Sequence, residues 1–96
     1  MIVHIVMFKF KEANRDSNLK KVEEKLNSLV SKIDELKSIE IGINFNHSQR
    51  AFDLSLYSTF DSKEDLNTYA LDEEHQKVVS FIKEVTSESK VVDYER

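Results

Sequence analysis

The sequence predicts an α+β domain in which helices cover one face of a four-stranded antiparallel sheet. Three observations predict it. The chain opens on an apolar, β-branched run from Ile2 to Phe10, free of Gly and Pro, which reads as a buried central strand. Period-two and period-three-to-four apolar patterns then follow in the order strand, helix, strand, strand, helix pair, strand. The two middle strands are separated by the short polar segment Asn46–Arg50, a length that suits a hairpin.

In the opening strand, Ile2, His4, Val6, Phe8 and Phe10 share one face, and Val3, Ile5, Met7 and Lys9 the other. Both faces are largely apolar, so both need cover, and His4 sits inside that apolar run. After a polar connection over 11–15, Asp16 or Ser17 is placed to cap a long helix. Its stripe is Leu19, Val22, Leu26, Leu29, Val30, Ile33 and Leu36, while the lysines and glutamates between them form a solvated face. Ser38 to Phe45 reads as a second strand with Ile39, Ile41, Ile43 and Phe45 in alternation. Gly42, the only glycine, marks a bulge, a close backbone approach or simply a tolerated small residue.

His47, in the polar turn, is expected in solvent. Ala51 to Phe60 is the third strand, with Phe52, Leu54 and Leu56 on one face. Asp61 is placed to cap a short helix with Leu66, Tyr69 and Ala70 inward, and Glu64 stands at capping-box spacing from it. Asp72 then caps another helix, with Glu73 and Glu74 in its electropositive first turn. That helix has the stripe Val78, Val79, Ile82 and Val85, which His75 extends. Glu88 to Asp93 closes the sheet, with Val91 and Asp93 on one face and Val92 and Tyr94 on the other.

Composition excludes several functions. Fourteen basic against 18 acidic residues give a net charge of −4. With the basic residues dispersed, the concentrated positive surface that phosphate contacts need is missing, so no nucleic-acid partner is expected. No cysteine is present, which removes disulfides, thiolate zinc sites and thiol nucleophiles. No apolar run approaches the roughly 20 residues that span a bilayer, and the start lacks signal-peptide character. A cytoplasmic protein without membrane association is the expectation. Ninety-six residues suit one domain, 1–96, whose small core would be only marginally stable in a monomer.

The element order βαββααβ is a split βαβ arrangement of the ferredoxin-like kind. It places the first and third strands centrally, the second and fourth at the edges, and the helices on one face. A second copy covering the other face would make a homodimeric α/β barrel about a two-fold axis. The last strand then lies antiparallel beside the first, bringing Asp93 to His4. Tyr69 and His75 point from the short helices toward the same end of the sheet–helix space.

Five stretches carry a resemblance: Val3-His4-Ile-Val-Met-Phe-Lys-Phe10; Ile39-Glu-Ile-Gly42; Phe52-Asp53-Leu-Ser-Leu-Tyr-Ser-Thr-Phe60-Asp-Ser62; Tyr69 with His75 six positions on; and Val91-Val-Asp93-Tyr94. In this order, over nearly the whole chain, they resemble the Dabb family of stress-responsive dimeric α/β barrel domains. The family usually carries His-Pro-x-His where this chain has Asp72-Glu73-Glu74-His75; the second histidine is kept, the first and the proline are not. The resemblance implies a dimeric barrel and a diversity of functions. One plant branch closes linear polyketides by intramolecular aldol condensation, and its functional positions match His4, Tyr69, His75 and Asp93.

An imidazole accepts a proton near neutral pH, and a carboxylate on its other nitrogen orients it. His4 with Asp93 is thus a candidate base for proton abstraction beside a carbonyl. Tyr69 and His75 are candidate hydrogen-bond donors to the enolate-like oxygen. The chemistry needs no cofactor, and the ligand would be a small aromatic or β-keto compound. Two alternatives stay open. The His–Asp pair can be purely structural, since buried polar groups need partners, in a barrel that serves assembly. His4, His75 and Asp93 can also supply metal ligands, but they lack short metal-motif spacing, and no metal is expected.

Overall fold

A computed structural model describes all 96 residues. The elements are β1 (Ile2–Phe10), α1 (Arg15–Asn27), a 3₁₀ turn (Ser28–Ser31), β2 (Ser38–Ile43), β3 (Leu54–Phe60), α2 (Lys63–Leu71), α3 (Glu73–Val85) and β4 (Thr86–Glu95). The sheet is antiparallel in the order β2-β3-β1-β4, with the opening strand central as its composition predicts.

The inner face of the sheet and the helix stripes close one core of 16 buried residues, among them Phe8, Phe10, Leu26, Leu54, Phe60, Tyr69 and Ile82. Burying a Leu- or Phe-sized side chain contributes roughly 1.5–3 kcal/mol, so this cluster is what holds the helices on the sheet. Away from Val3 and Thr59, which are buried, much of the outer face stays uncovered in one chain. Met7 is 41% exposed and Val92 57%, and Tyr94 is exposed beside them.

Several element boundaries differ from the sequence expectation, each for a local reason. Helix α1 starts at Arg15, not after an Asp16 or Ser17 cap. Asn14 turns the chain with φ 56° and gives no side-chain cap, a conformation Asn tolerates better than most residues. Asp16 instead lies in the first turn, where the helix dipole favours a negative charge. The α-helix ends at Asn27, because Ser28 and Ser31 donate their hydroxyls to the carbonyls of Lys25 (2.7 Å) and Ser28 (3.0 Å) and the backbone tightens. The apolar stripe outlives the helix, since Ile33 and Leu36 remain buried, but Val30 faces out.

Strand β2 stops at Ile43. Asn44 accepts the Asn46 N–H at 3.1 Å in an Asx turn, and Phe45 swings out to 91% exposure instead of continuing the inward row. Strand β3 begins at Leu54 and not Ala51, because Asp53 is spent on the end of β1. Its N–H donates to the Phe8 carbonyl (2.8 Å), and its carboxylate accepts from the Phe10 N–H (2.7 Å). Ser62, not Asp61, caps α2 by accepting the Asp65 N–H at 3.1 Å. Asp72 caps α3 as expected, accepting the Glu74 N–H at 2.8 Å. Gly42 makes no bulge, as β2 and β3 stay in register around it. A Cβ there would stand 3.1 Å from the Ser55 side-chain Oγ, with no backbone atom as near, so the neighbour that crowds this position is a hydroxyl and not a closely approaching backbone. The only register shift lies between Lys9 and Phe10 against β4.

Candidate functional site

The β1–β4 register sets His4 opposite Asp93, both on the inner face, and His4 Nδ1 is hydrogen-bonded to Asp93 Oδ1. The His4 side chain is 17% exposed and that of Asp93 47%, so the carboxylate reaches in from the sheet edge. With the Nδ1 hydrogen donated to the carboxylate, a neutral His4 ring carries its lone pair on Nε2, which has no hydrogen-bond partner in the chain.

His75 is fixed at the start of α3, a position set by the Asp72 cap. Its Nδ1 donates to the Ala70 carbonyl at 3.1 Å, so its neutral ring likewise presents Nε2 as an acceptor. Burial holds the His75 pKa below the ordinary imidazole value. Nearby His4 pushes the same way, while the Ala70 hydrogen bond and Asp72 oppose it.

Tyr69, from the inward face of α2, is wholly buried. Its ring lies 4.2 Å from His75 and 5.0 Å from Phe60, centroid to centroid, and Phe60 in turn meets the His4 ring edge-on at 6.5 Å. Burial pushes the Tyr69 hydroxyl well above its usual pKa, which keeps it a neutral phenol, and that hydroxyl has no partner. The four residues named from the sequence therefore form two contacting pairs, His4–Asp93 and Tyr69–His75, joined through Phe60.

His4 and His75 open onto one cavity of about 200 Å³ between sheet and helices, whose middle is apolar (Phe8, Leu56, Val79 and Ile82 among others). Tyr69 and Asp93 do not line it. Sequence reasoning missed Phe60 as the bridging ring and Lys83, Thr86 and Ser89 as further lining residues. One signal for Lys83 was available: no acidic residue stands three or four positions from it. No three His, Cys, Asp or Glu side chains are gathered closely enough to hold a metal ion, and no helix is long and apolar enough to cross a membrane.

This architecture places the chain among the ferredoxin-like α+β proteins. It belongs to the family described as the Stress responsive A/B Barrel Domain, whose profile matches residues 2–96. A curated relative is the stress-response A/B barrel domain-containing protein DABB1 of Arabidopsis thaliana, 28% identical over 103 residues. That match covers 98% of this chain but 46% of the relative, so the chain spans about half the length of the curated relative it matches.

Among solved structures, the chain is similar to a dimeric protein of unknown function and ferredoxin-like fold from Bacteroides fragilis. That protein is 29% identical with a TM-score of 0.90, the match covering 99% of this chain and 95% of that one. It is also similar to the hydroxynitrile lyase from Passiflora edulis, 16% identical with a TM-score of 0.87, covering 97% of this chain and 90% of that one. At that identity the second likeness is one of fold alone.

Proposed function

We propose that this chain is a homodimeric small-molecule-binding protein whose sheet–helix cavity takes a small aromatic or β-keto ligand. One observation carries the reading. Two imidazoles, each with Nδ1 engaged, share a cavity between sheet and helices whose middle is apolar. Such a mix of apolar walls and few convergent polar groups is what small-ligand sites have.

The arrangement also supports cofactor-free proton abstraction. Asp93 would orient His4 and stabilise the imidazolium formed when Nε2 takes a proton from a ligand hydroxyl or an activated carbon. His75, neutral and already donating to Ala70, suits an acceptor role better than that of an enolate donor. Tyr69 would then act by holding His75. The purely structural reading is favoured by one feature, the Phe60–Tyr69–His75 stack, which fills its space with rings in mutual contact.

Dimerisation belongs to the same proposal. The exposed Met7, Val92 and Tyr94 offer an apolar outer face, and the similar Bacteroides fragilis protein is described as dimeric. So does a single cytoplasmic domain over residues 1–96, consistent with a cysteine-free chain.

The test is a thermal-shift series with small aromatic acids, phenols and β-keto acids on wild type and on Val79→Trp, which fills the cavity. A ligand bound only to the folded state raises its melting temperature. A shift present in wild type and absent in Val79→Trp supports the reading. Equal shifts in both, or none with any compound, reject it. For turnover of a compound found this way, His4→Ala should abolish activity while the fold persists.

A further inference from the structure

The cavity is asymmetric along its length. His4 and His75 mark one end. Lys83 follows His75 by eight residues on α3, a rise of roughly 12 Å. Ser89 lies on β4 opposite Phe8, four residues along β1 from His4, also roughly 13 Å away. Lys83 and Ser89 therefore mark the other end, where both are exposed.

Lys83 is an unpaired cation. It appears in none of the chain's ion pairs, which engage Lys32, Lys37, Lys77 and Lys90. Glu88, the residue before Ser89 on β4, is paired with Lys90 at 3.5 Å. The Ser89 hydroxyl makes no hydrogen bond either, whereas Thr86 has donated its own to the Ile82 carbonyl at 2.8 Å. So the inner end offers two acceptors, the middle is apolar, and the outer end offers a cation and a free hydroxyl donor.

We propose that Lys83 is the specificity-determining residue of this pocket, and that the ligand class is a hydroxyl-bearing carboxylic acid with the two groups at opposite ends of a flat or slender apolar body. The inference rests on the pocket reading above. The hydroxyl donates to Nε2 of His4 or His75, the body fills the apolar middle, and the carboxylate pairs with Lys83 and Ser89. A cavity of about 200 Å³ lies below the roughly 300–1,000 Å³ of drug-sized ligand sites, so it holds only about a dozen non-hydrogen atoms. A single ring with a short acid chain is that size.

The probes are 3-(4-hydroxyphenyl)propionate and its primary amide, which keeps the shape and removes the charge. Affinities are measured by calorimetry on wild type, Lys83→Met and Lys83→Arg; both substitutions are at an exposed position and leave the core untouched. The acid should bind wild type at least about tenfold more tightly than the amide, as a charge-assisted contact does. Lys83→Met should erase that preference by weakening the acid alone, and Lys83→Arg should retain it. Equal binding of acid and amide to wild type, or a preference that survives in Lys83→Met, overturns the role of Lys83 and leaves the pocket reading standing. Binding of neither compound to wild type, together with a silent thermal-shift series, removes both.

Discussion

Asp93 stands directly opposite His4 across the β1–β4 ladder, and its carboxylate holds the His4 ring by Nδ1. The pairing joins residues near the two ends of the chain and leaves Nε2 as the ring's free acceptor. Replacing Asp93 by Asn keeps the shape and removes the charge, so the ring is no longer held in one tautomer. Long-range ¹H–¹⁵N correlation should find His4 protonated at Nδ1 in the neutral wild type and mixed between nitrogens in Asp93→Asn. Because Asp93 is half-exposed, the loss of stability should stay below about 1 kcal/mol. An unchanged tautomer in the variant would separate Asp93 from the orientation of His4.

The pH dependence of stability should carry the signature of His75. Burial lowers its pKa in the folded chain relative to the unfolded one. As pH falls below about 6.5, the unfolded state therefore takes up the proton first, and stability declines. Above that pH both states hold a neutral ring and the contribution is full. Melting temperatures followed from pH 7.5 to 5.5 should fall more for wild type than for His75→Gln. Parallel curves would show that His75 does not supply the slope.

Tyr69 gives opposite expectations for two substitutions. Its hydroxyl is buried without a partner, a cost that Tyr69→Phe relieves, so that variant should be as stable as wild type or more stable by about 1 kcal/mol. Tyr69→Ala removes the ring itself from between Phe60 and His75 and should cost about 3–5 kcal/mol. Urea unfolding measures both. A marked loss in Tyr69→Phe would mean that the hydroxyl has a partner in solution.

The outer face of the sheet predicts the assembly. Val92 is more than half exposed on the outer face, which it shares with the exposed Met7 and Tyr94 and with Lys90. A glutamate there would be desolvated without a partner in a face-to-face dimer. Val92→Glu should convert a dimer to a folded monomer in light scattering coupled to size exclusion. A monomeric wild type, or a variant that stays dimeric, would contradict the barrel arrangement.

Much of this was legible in the sequence because it depends on local pattern. The central strand is announced by an unbroken apolar run, the helices by their stripes, and the α3 start by Asp72. The boundaries were harder because side chains redirected the backbone: Ser28 and Ser31 tightened the end of α1, Asn44 ended β2, and Asp53 delayed β3 by binding the end of β1. These depend on which of several near-equal hydrogen bonds forms, and no period encodes that choice.

The site divides in the same way. By itself the sequence determined the order of elements and therefore the topology that puts Asp93 beside His4, because antiparallel pairing of the first and last strands dictates the register region. Only the tertiary structure decided which ring nitrogens are occupied, that Phe60 links the two pairs, that Tyr69 lies behind the cavity, and that Lys83 stands unpaired at its far end. Strand order follows from patterns a few residues long. The chemistry of the cavity follows from contacts between elements far apart in the chain, whose distances and free lone pairs exist only once the elements have packed.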